Sequence, residues 1–269
     1  MELDLRDRVV VVTGAGRGIG AVIARRFAAE GAHVAALDLA HEDAATATEE
    51  ATDGAGGAPD AADGTAILPV VCDVTDPDSV DAAVAQVVAR HGRIDVLVNN
   101  AGIVADSTVL ETDWETWRRC LDVNAGGTFL MCRAAAPHMQ DSGRGRILNA
   151  ASFAAIVPSV GSAAYAASKA AVVQLSRVLA SELGPHGITV NSYAPGMVPT
   201  AMNGFAEMPA AQQDRLLDTL SLRRWESADD VADLLLFLAS DQASYITGAL
   251  LDVSGGKFAT QIPAVAYGR

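Results

Sequence analysis

The sequence is short of cysteine, histidine and lysine. Its three cysteines, Cys72, Cys120 and Cys132, are scattered, odd in number and without a Cys-x-x-Cys pair. That argues against a disulfide scaffold and for buried thiols in a reducing compartment. The five histidines (His33, His41, His91, His138, His186) never stand at i, i+2 or i, i+4, so no metal site is expected. No apolar run approaches the ~18 residues of a membrane span. The opening MELDLRDR is charged and lacks a hydrophobic core, so a secretory leader is not expected. Basic residues are in deficit: 19 Lys+Arg against 33 Asp+Glu give a formal net charge of −14. Nucleic acid and anionic membranes call for a clustered basic surface, so both are disfavoured as partners and a cytoplasmic location is expected.

What is present is apolar. Hydrophobic residues make up 50% and charged residues 19% of the chain, too apolar for disorder and enough for a large buried core. Short Val/Ile/Leu-rich runs alternate with helical periodicities. Strands are expected at 9–13, 33–37, 66–71, 94–98, 146–150, 188–193 and 249–253. Helices are expected between them. One starts at the glycine cluster with Ile19, Ile23 and Phe27 in register; others span about 42–52, 77–91, 112–140 in two pieces, 162–183 and 200–220. Val231, Leu234, Leu235 and Leu238 mark a last helix face. The small, acidic stretch 53–65 reads as a mobile surface loop. No linker or repeat divides the chain. The pattern predicts a single α/β domain over 1–269: a doubly wound, seven-stranded parallel sheet with helices on both faces, of the Rossmann type.

The first strand ends in Thr13-Gly14-Ala15-Gly16-Arg17-Gly18-Ile19-Gly20, and a helix follows at once. Glycines there let backbone approach a pyrophosphate at the positive end of a helix. Asp38 closes the second strand, where a carboxylate can accept both adenosine ribose hydroxyls and would repel a 2′-phosphate. The expected cofactor is therefore NAD. Arg17 could meet a 2′-phosphate, the pyrophosphate or only solvent.

The spacing Gly14-x-x-x-Gly18-x-Gly20 resembles that of the short-chain dehydrogenase/reductase family, classical type. Tyr165 and Lys169, i and i+4 on one helix face, together with Ser152 past a strand end and Asn124 in an earlier helix, match that family's catalytic set. Asn99-Asn100-Ala101-Gly102 resembles its cofactor-supporting strand end, Asp73 with Val74 its adenine-side acid, and the run Pro195, Gly196, Met197, Val198, Pro199, Thr200 its nicotinamide-side loop. The resemblance covers essentially residues 6–256. It implies that Lys169 also holds the nicotinamide ribose, that Asn124 anchors a proton-carrying water, and that the protein is a homotetramer.

The chemistry fits independently. A free tyrosine is a poor base at neutral pH. An ammonium ~4 Å away at an effective dielectric of about 20 stabilises the phenolate by about 4 kcal/mol, roughly 3 pKa units, which would poise Tyr165 near neutrality. Ser152 would hold the substrate oxygen. Only two of the basic residues are lysines, Lys169 and Lys257. Keeping one beside Tyr165 points to a need for a compact ammonium, whereas Lys257 has no evident task.

The expected reaction is NAD(H)-dependent hydride transfer between nicotinamide and a small secondary alcohol or ketone. One alternative is a 3-oxoacyl-carrier-protein reductase using NADPH, disfavoured by Asp38 and by Gly143 and His186 where those enzymes carry basic residues. Another is a non-catalytic cofactor-sensing protein on the same fold. Residues 103–110, 153–162 and a lid at about 197–222 should form the pocket, with Met197, Met202, Phe205 and Met208 as an adaptable apolar wall. The tail 257–269 could cross to a neighbouring subunit. Trp114, Trp117 and Trp225 are expected to pack in the core or an interface.

Overall fold

The computed structural model describes residues 3–40, 67–140, 143–200, 204–205 and 207–269. The helix expected at about 42–52 and the loop at 53–65 lie outside them. The elements run β1 (Val9–Thr13), α1 (Gly18–Ala29), β2 (His33–Asp38), β3 (Leu68–Val71), α2 (Pro77–His91) and β4 (Val96–Asn99). Then come α3 (Trp114–Leu121), α4 (Gly127–Ala135), β5 (Arg146–Ala150), α5 (Ala163–Leu183), β6 (Thr189–Pro195), α6 (Ala210–Leu217), α7 (Ala228–Ala239) and β7 (Leu250–Val253).

All seven strands join one parallel sheet in the order β3-β2-β1-β4-β5-β6-β7. The strand β1 is entirely buried because both sheet faces are covered. Val10 and Val12 point into a core with Ile23 and Phe27 of α1 and Leu235 of α7. Val9 and Val11 point the other way, into a core with Val80 and Val84 of α2 and Met131 of α4. Strand order reverses between β1 and β4, so a crevice opens beyond their carboxyl ends, where α/β proteins bind ligands.

The stretch 112–140 is helical in two main pieces, α3 and α4, as expected, and a π-helical turn, Asp122–Gly126, joins them. One extra residue per turn carries Asn124 fully inward. One helical expectation needs correction: among the described residues of 200–220, only α6 is regular helix. Gly204 in the left-handed region and Pro209 just ahead of α6 prevent an earlier start. Trp114 is exposed rather than core, and Trp225 stacks on Phe205 with centroids 5.5 Å apart. All three cysteines are buried and free, as expected.

The tail folds back over α6 and the segment that follows it. Tyr267 donates its hydroxyl hydrogen to the Ser221 carbonyl at 2.7 Å. Arg269 pairs with Asp214 and, at 3.3 Å, with Asp218. The ring of Phe258 sits 6.5 Å from that of Phe153.

Candidate active site

The glycine loop and the end of β4 are locked together at the strand-order reversal. Thr13 Oγ1 accepts from the main-chain N–H groups of Asn100 and Ala101, both at 3.1 Å. The Asn100 amide donates back to the carbonyls of Thr13 and Gly14 at 3.3 Å. A Cβ on Gly14 would stand 2.8 Å from Ala101 Cα, and one on Gly20 only 2.1 Å from the Gly14 carbonyl oxygen. Both positions therefore admit only glycine. At Gly18, φ is +59° and a Cβ would meet nothing within 4 Å, so this backbone faces open space at the start of α1. A backbone free of side chains at the positive end of a helix suits a pyrophosphate. Ile19 lies partly buried on the next turn and Arg17 is exposed.

Asp38 is tied to the same loop. Its Oδ2 accepts from the Gly16 amide and its Oδ1 from the Leu39 amide, both at 2.8 Å. A Cβ on Gly16 would come within 2.9 Å of Oδ2. Gly16 is thus a site residue that glycine spacing alone does not reveal: its bareness lets the carboxylate approach the loop. Each oxygen keeps a lone pair for a further donor such as a ribose hydroxyl. Asp73 Oδ1 accepts from the Thr75 amide at 2.9 Å and hydroxyl at 2.7 Å, shaping the turn before α2. Val74 is buried against Gly127.

Four side chains gather past the ends of β4 and β5. Ser152 caps a short 3₁₀ turn, Phe153–Ala155, and its Oγ accepts from the Ala154 amide at 3.2 Å. The Ser152 hydroxyl is close enough to Tyr165 to favour its ionised form. One turn on along α5, the Lys169 ammonium lies 5.8 Å from the Tyr165 ring centroid and donates to the Ala150 carbonyl at 2.8 Å. Asn124 is held by Ile103, whose amide donates to Oδ1 at 2.8 Å and whose carbonyl accepts from Nδ2 at 3.0 Å. Nδ2 also donates to Ser168 Oγ at 2.8 Å. Both ends of this side chain are thus engaged within the protein, where it fixes the π-helical turn. Gly102 covers the cluster: a Cβ there would stand 3.0 Å from Asn124 Oδ1 and 3.3 Å from Lys169 Nζ.

The electrostatics differ from the expectation. Burial raises the Tyr165 phenol above its ordinary value, opposed by the Ser152 hydroxyl. Burial also lowers Lys169, to about 8. Desolvation disfavours both charged forms, so the raised Tyr165 stands as a neutral phenol at neutral pH.

On the other side, Gly196 packs so closely on Ser254 that a Cβ would lie 2.8 Å from its Cα. Its amide donates to Glu226 Oε2 at 2.5 Å. Glu226 is a buried acid that sequence reasoning did not single out; burial raises its pKa to about 8. Pro195 ends β6, and Met197 and Val198 are buried rather than lining open space. Thr200 is partly exposed, and Met202 lies outside the described residues. Among the described residues no group of three or more metal-ligating side chains occurs, and no helix is long and apolar enough to cross a membrane.

A doubly wound parallel sheet, a glycine loop at the strand-order reversal and a Ser-Tyr-Lys cluster beside it define an oxidoreductase that works with a nicotinamide cofactor. A family model described as Enoyl-(Acyl carrier protein) reductase matches residues 14–257. The 3-oxoacyl-[acyl-carrier-protein] reductase FabG of Thermotoga maritima is 37% identical over 252 residues, 94% of this chain and 98% of its own. D-threitol dehydrogenase of Mycolicibacterium smegmatis is 41% identical over 252 residues, 94% of this chain and 93% of its own. The crystal structure of gox2181 matches with a TM-score of 0.86 and 33% identity, over 96% of this chain and 98% of its own. The chain belongs to the short-chain dehydrogenase/reductase family.

Proposed function

We propose that the protein is an NAD(H)-dependent oxidoreductase acting on a secondary alcohol or its ketone, with Tyr165 as acid/base. The observation that carries this reading is the hydroxyl pair of Ser152 and Tyr165 set beside the buried Lys169 ammonium. The nicotinamide, when bound, accepts the hydride from the carbinol carbon or returns it. The residues of this chain deal with the proton and the oxygen. As a neutral phenol, Tyr165 donates its proton to a ketone oxygen and becomes the phenolate; in oxidation the phenolate, its proton already lost to solvent, takes the alcohol proton. Ser152 donates a hydrogen bond to the same oxygen and Lys169 stabilises the phenolate as it forms. Asn124 keeps the π-helical turn and Ile103 in place beside them.

Gly14, Gly18, Ile19 and Gly20 would meet the pyrophosphate, with Arg17 at its edge. Asp38 would bind the adenosine ribose, and Asp73 and Val74 would flank the adenine. Tyr165 and Lys169 would hold the nicotinamide ribose. Asn100, Ala101, Gly102, Pro195, Gly196, Val198 and Thr200 would line the nicotinamide side. NAD is favoured over NADP because the Asp38 carboxylate lies at the glycine loop, where a 2′-phosphate would face like charge. D-threitol dehydrogenase among the relatives supports a small polyol. The relative that reduces a carrier-bound thioester supports the alternative, but a net charge of −14 would repel an acidic carrier protein. A homotetramer in the cytoplasm completes the reading.

The test is a screen of NAD⁺ and NADP⁺ reduction over secondary alcohols, polyols and hydroxyacyl thioesters. NAD⁺-linked oxidation of at least one free alcohol is expected. Turnover confined to NADPH and acyl thioesters would favour the carrier-protein reading. Tight NADH binding without turnover of anything would favour a sensing role.

A further inference from the structure

Lys257 is the second of the two lysines, and the structure places it against Phe153, the residue after Ser152. It directly follows Gly255-Gly256, past the end of β7. Its ammonium lies 5.6 Å from the ring centroid of Phe153, the residue next to Ser152. It donates to Thr219 Oγ1 at 2.5 Å, just past the end of α6. Its own amide donates to Ser254 Oγ at 3.2 Å, beneath Gly196. The cation thus stands where the Ser152 turn, the segment after α6 and the nicotinamide-side loop converge.

This cation has no anion. Among the described residues, no carboxylate lies within ion-pair distance of Lys257, in a chain with 33 acids. The two acids nearest in sequence to Thr219 are already taken: Asp218 by Arg223 at 2.9 Å and Arg269 at 3.3 Å, and Asp214 by the same two arginines. Burial lowers the Lys257 pKa with no opposing carboxylate. One of the three ammonium hydrogens goes to Thr219, leaving two. A partly desolvated ammonium with free donors attracts a compact anion far more strongly than an exposed one does.

We infer that Lys257 is a specificity-determining residue that receives the carboxylate of a secondary hydroxy acid, or of the corresponding keto acid, at the site read above as Ser152–Tyr165. The inference rests on that reading. The ammonium binds the carboxylate end, while the carbinol end reaches the hydroxyl pair past Phe153. A single cation with no second base beside it suits a monoanion better than a phosphate.

The experiment is steady-state kinetics with NAD⁺ on secondary hydroxy acids of graded chain length, each against its methyl ester. Wild type, Lys257→Met and Lys257→Arg are compared. Methionine keeps the aliphatic stem on Phe153 and removes the charge. For at least one hydroxy acid, wild type should prefer the acid over its ester. Lys257→Met should raise KM for that acid about ten- to a hundredfold, as for a lost charged hydrogen bond, and leave kcat/KM for the ester within about twofold. Lys257→Arg should restore much of the preference. A thermal-shift titration of the NADH-loaded protein with the keto acid should show stabilisation that Lys257→Met abolishes. Equal use of acids and esters by wild type would overturn the inference while leaving the Ser152–Tyr165 reading intact. So would an equal loss on both in Lys257→Met. If no secondary alcohol of either kind is oxidised, the underlying reading fails and the inference falls with it.

Discussion

Glu226 holds Gly196 from beneath. A single carboxylate oxygen takes the Gly196 amide at 2.5 Å across thirty residues of chain, while its second oxygen is buried without a hydrogen-bond partner. Glu226 directly precedes Ser227, whose capping box with Asp230 starts α7. The loop after β6 is thereby fastened to the start of α7.

This contact predicts a pH dependence of stability. Burial raises Glu226 from the usual glutamate range to about 8, so the folded state binds a proton that the unfolded state has already lost above about 4.5. Its stabilising contribution is full below that lower value and is lost as the pH rises to about 8. The loss amounts to a few kcal/mol at most. Glu226→Gln keeps an oxygen for the Gly196 amide and cannot ionise. Thermal melts should show wild type losing Tm between pH 5 and about 9 more steeply than Glu226→Gln. Parallel curves would place the ionisation elsewhere.

Tyr165 as a neutral phenol gives the two reaction directions opposite pH trends. Ketone reduction needs the proton on Tyr165 and should be faster at neutral pH; alcohol oxidation needs it removed and should rise into the alkaline range. Lys169, lowered to about 8, loses its charge over part of the same range and should limit that rise. Initial rates in both directions from pH 6 to 10 check this. Tyr165→Phe should lower kcat by about a hundredfold or more with NADH binding little changed, and activity above a tenth of wild type would remove Tyr165 from this role.

Asp38 is best tested by a variant that respects its hydrogen bonds. Asp38→Asn can still accept from the Gly16 amide, but it carries no charge to repel a 2′-phosphate. The ratio of kcat/KM for NAD⁺ over NADP⁺ should fall by at least tenfold, as for about 1.4 kcal/mol of lost repulsion. Asp38→Ala should in addition weaken both cofactors, because the glycine loop loses its anchor. An unmoved ratio in Asp38→Asn would make Arg17 the likelier determinant.

Gly20→Ala should damage the cofactor cradle without touching a catalytic group. The new methyl would press on the Gly14 carbonyl and on the Asn100 amide, which lies 2.6 Å from the Cβ position. A loss of about 1–3 kcal/mol in stability and weaker NADH binding are expected. Denaturant melts and NADH fluorescence titration measure the two.

The sheet was legible because each strand is a short apolar run ended by a ligand-edge signature. Asp38, Asn99, Ala150 and Pro195 each close the strand expected to reach the crevice. Lys169 and Tyr165 were legible because helical spacing puts them on one face. Other features depend on contacts between distant parts of the chain. Gly16 matters through Asp38, Glu226 through Gly196, and Lys257 through Thr219 and Phe153. The π-helical turn was not legible because it is held by contacts of Asn124 with Ile103 and Ser168, which are distant in the chain. The rise of the Tyr165 phenol comes from burial, which residue spacing does not report.

The three thiols have a practical consequence. Cys72 and Cys132, raised by burial to about 11 and about 12, and Cys120, likewise raised, are withdrawn from solvent as well as protonated at neutral pH. Thiolate is the form that reacts with maleimides, so the native chain is a silent background for labelling. A cysteine introduced at exposed Leu222 would be the sole fast-reacting thiol. A fluorophore there would report on the surroundings of the Leu222–Gly255 contact in real time, with no need to remove a native cysteine.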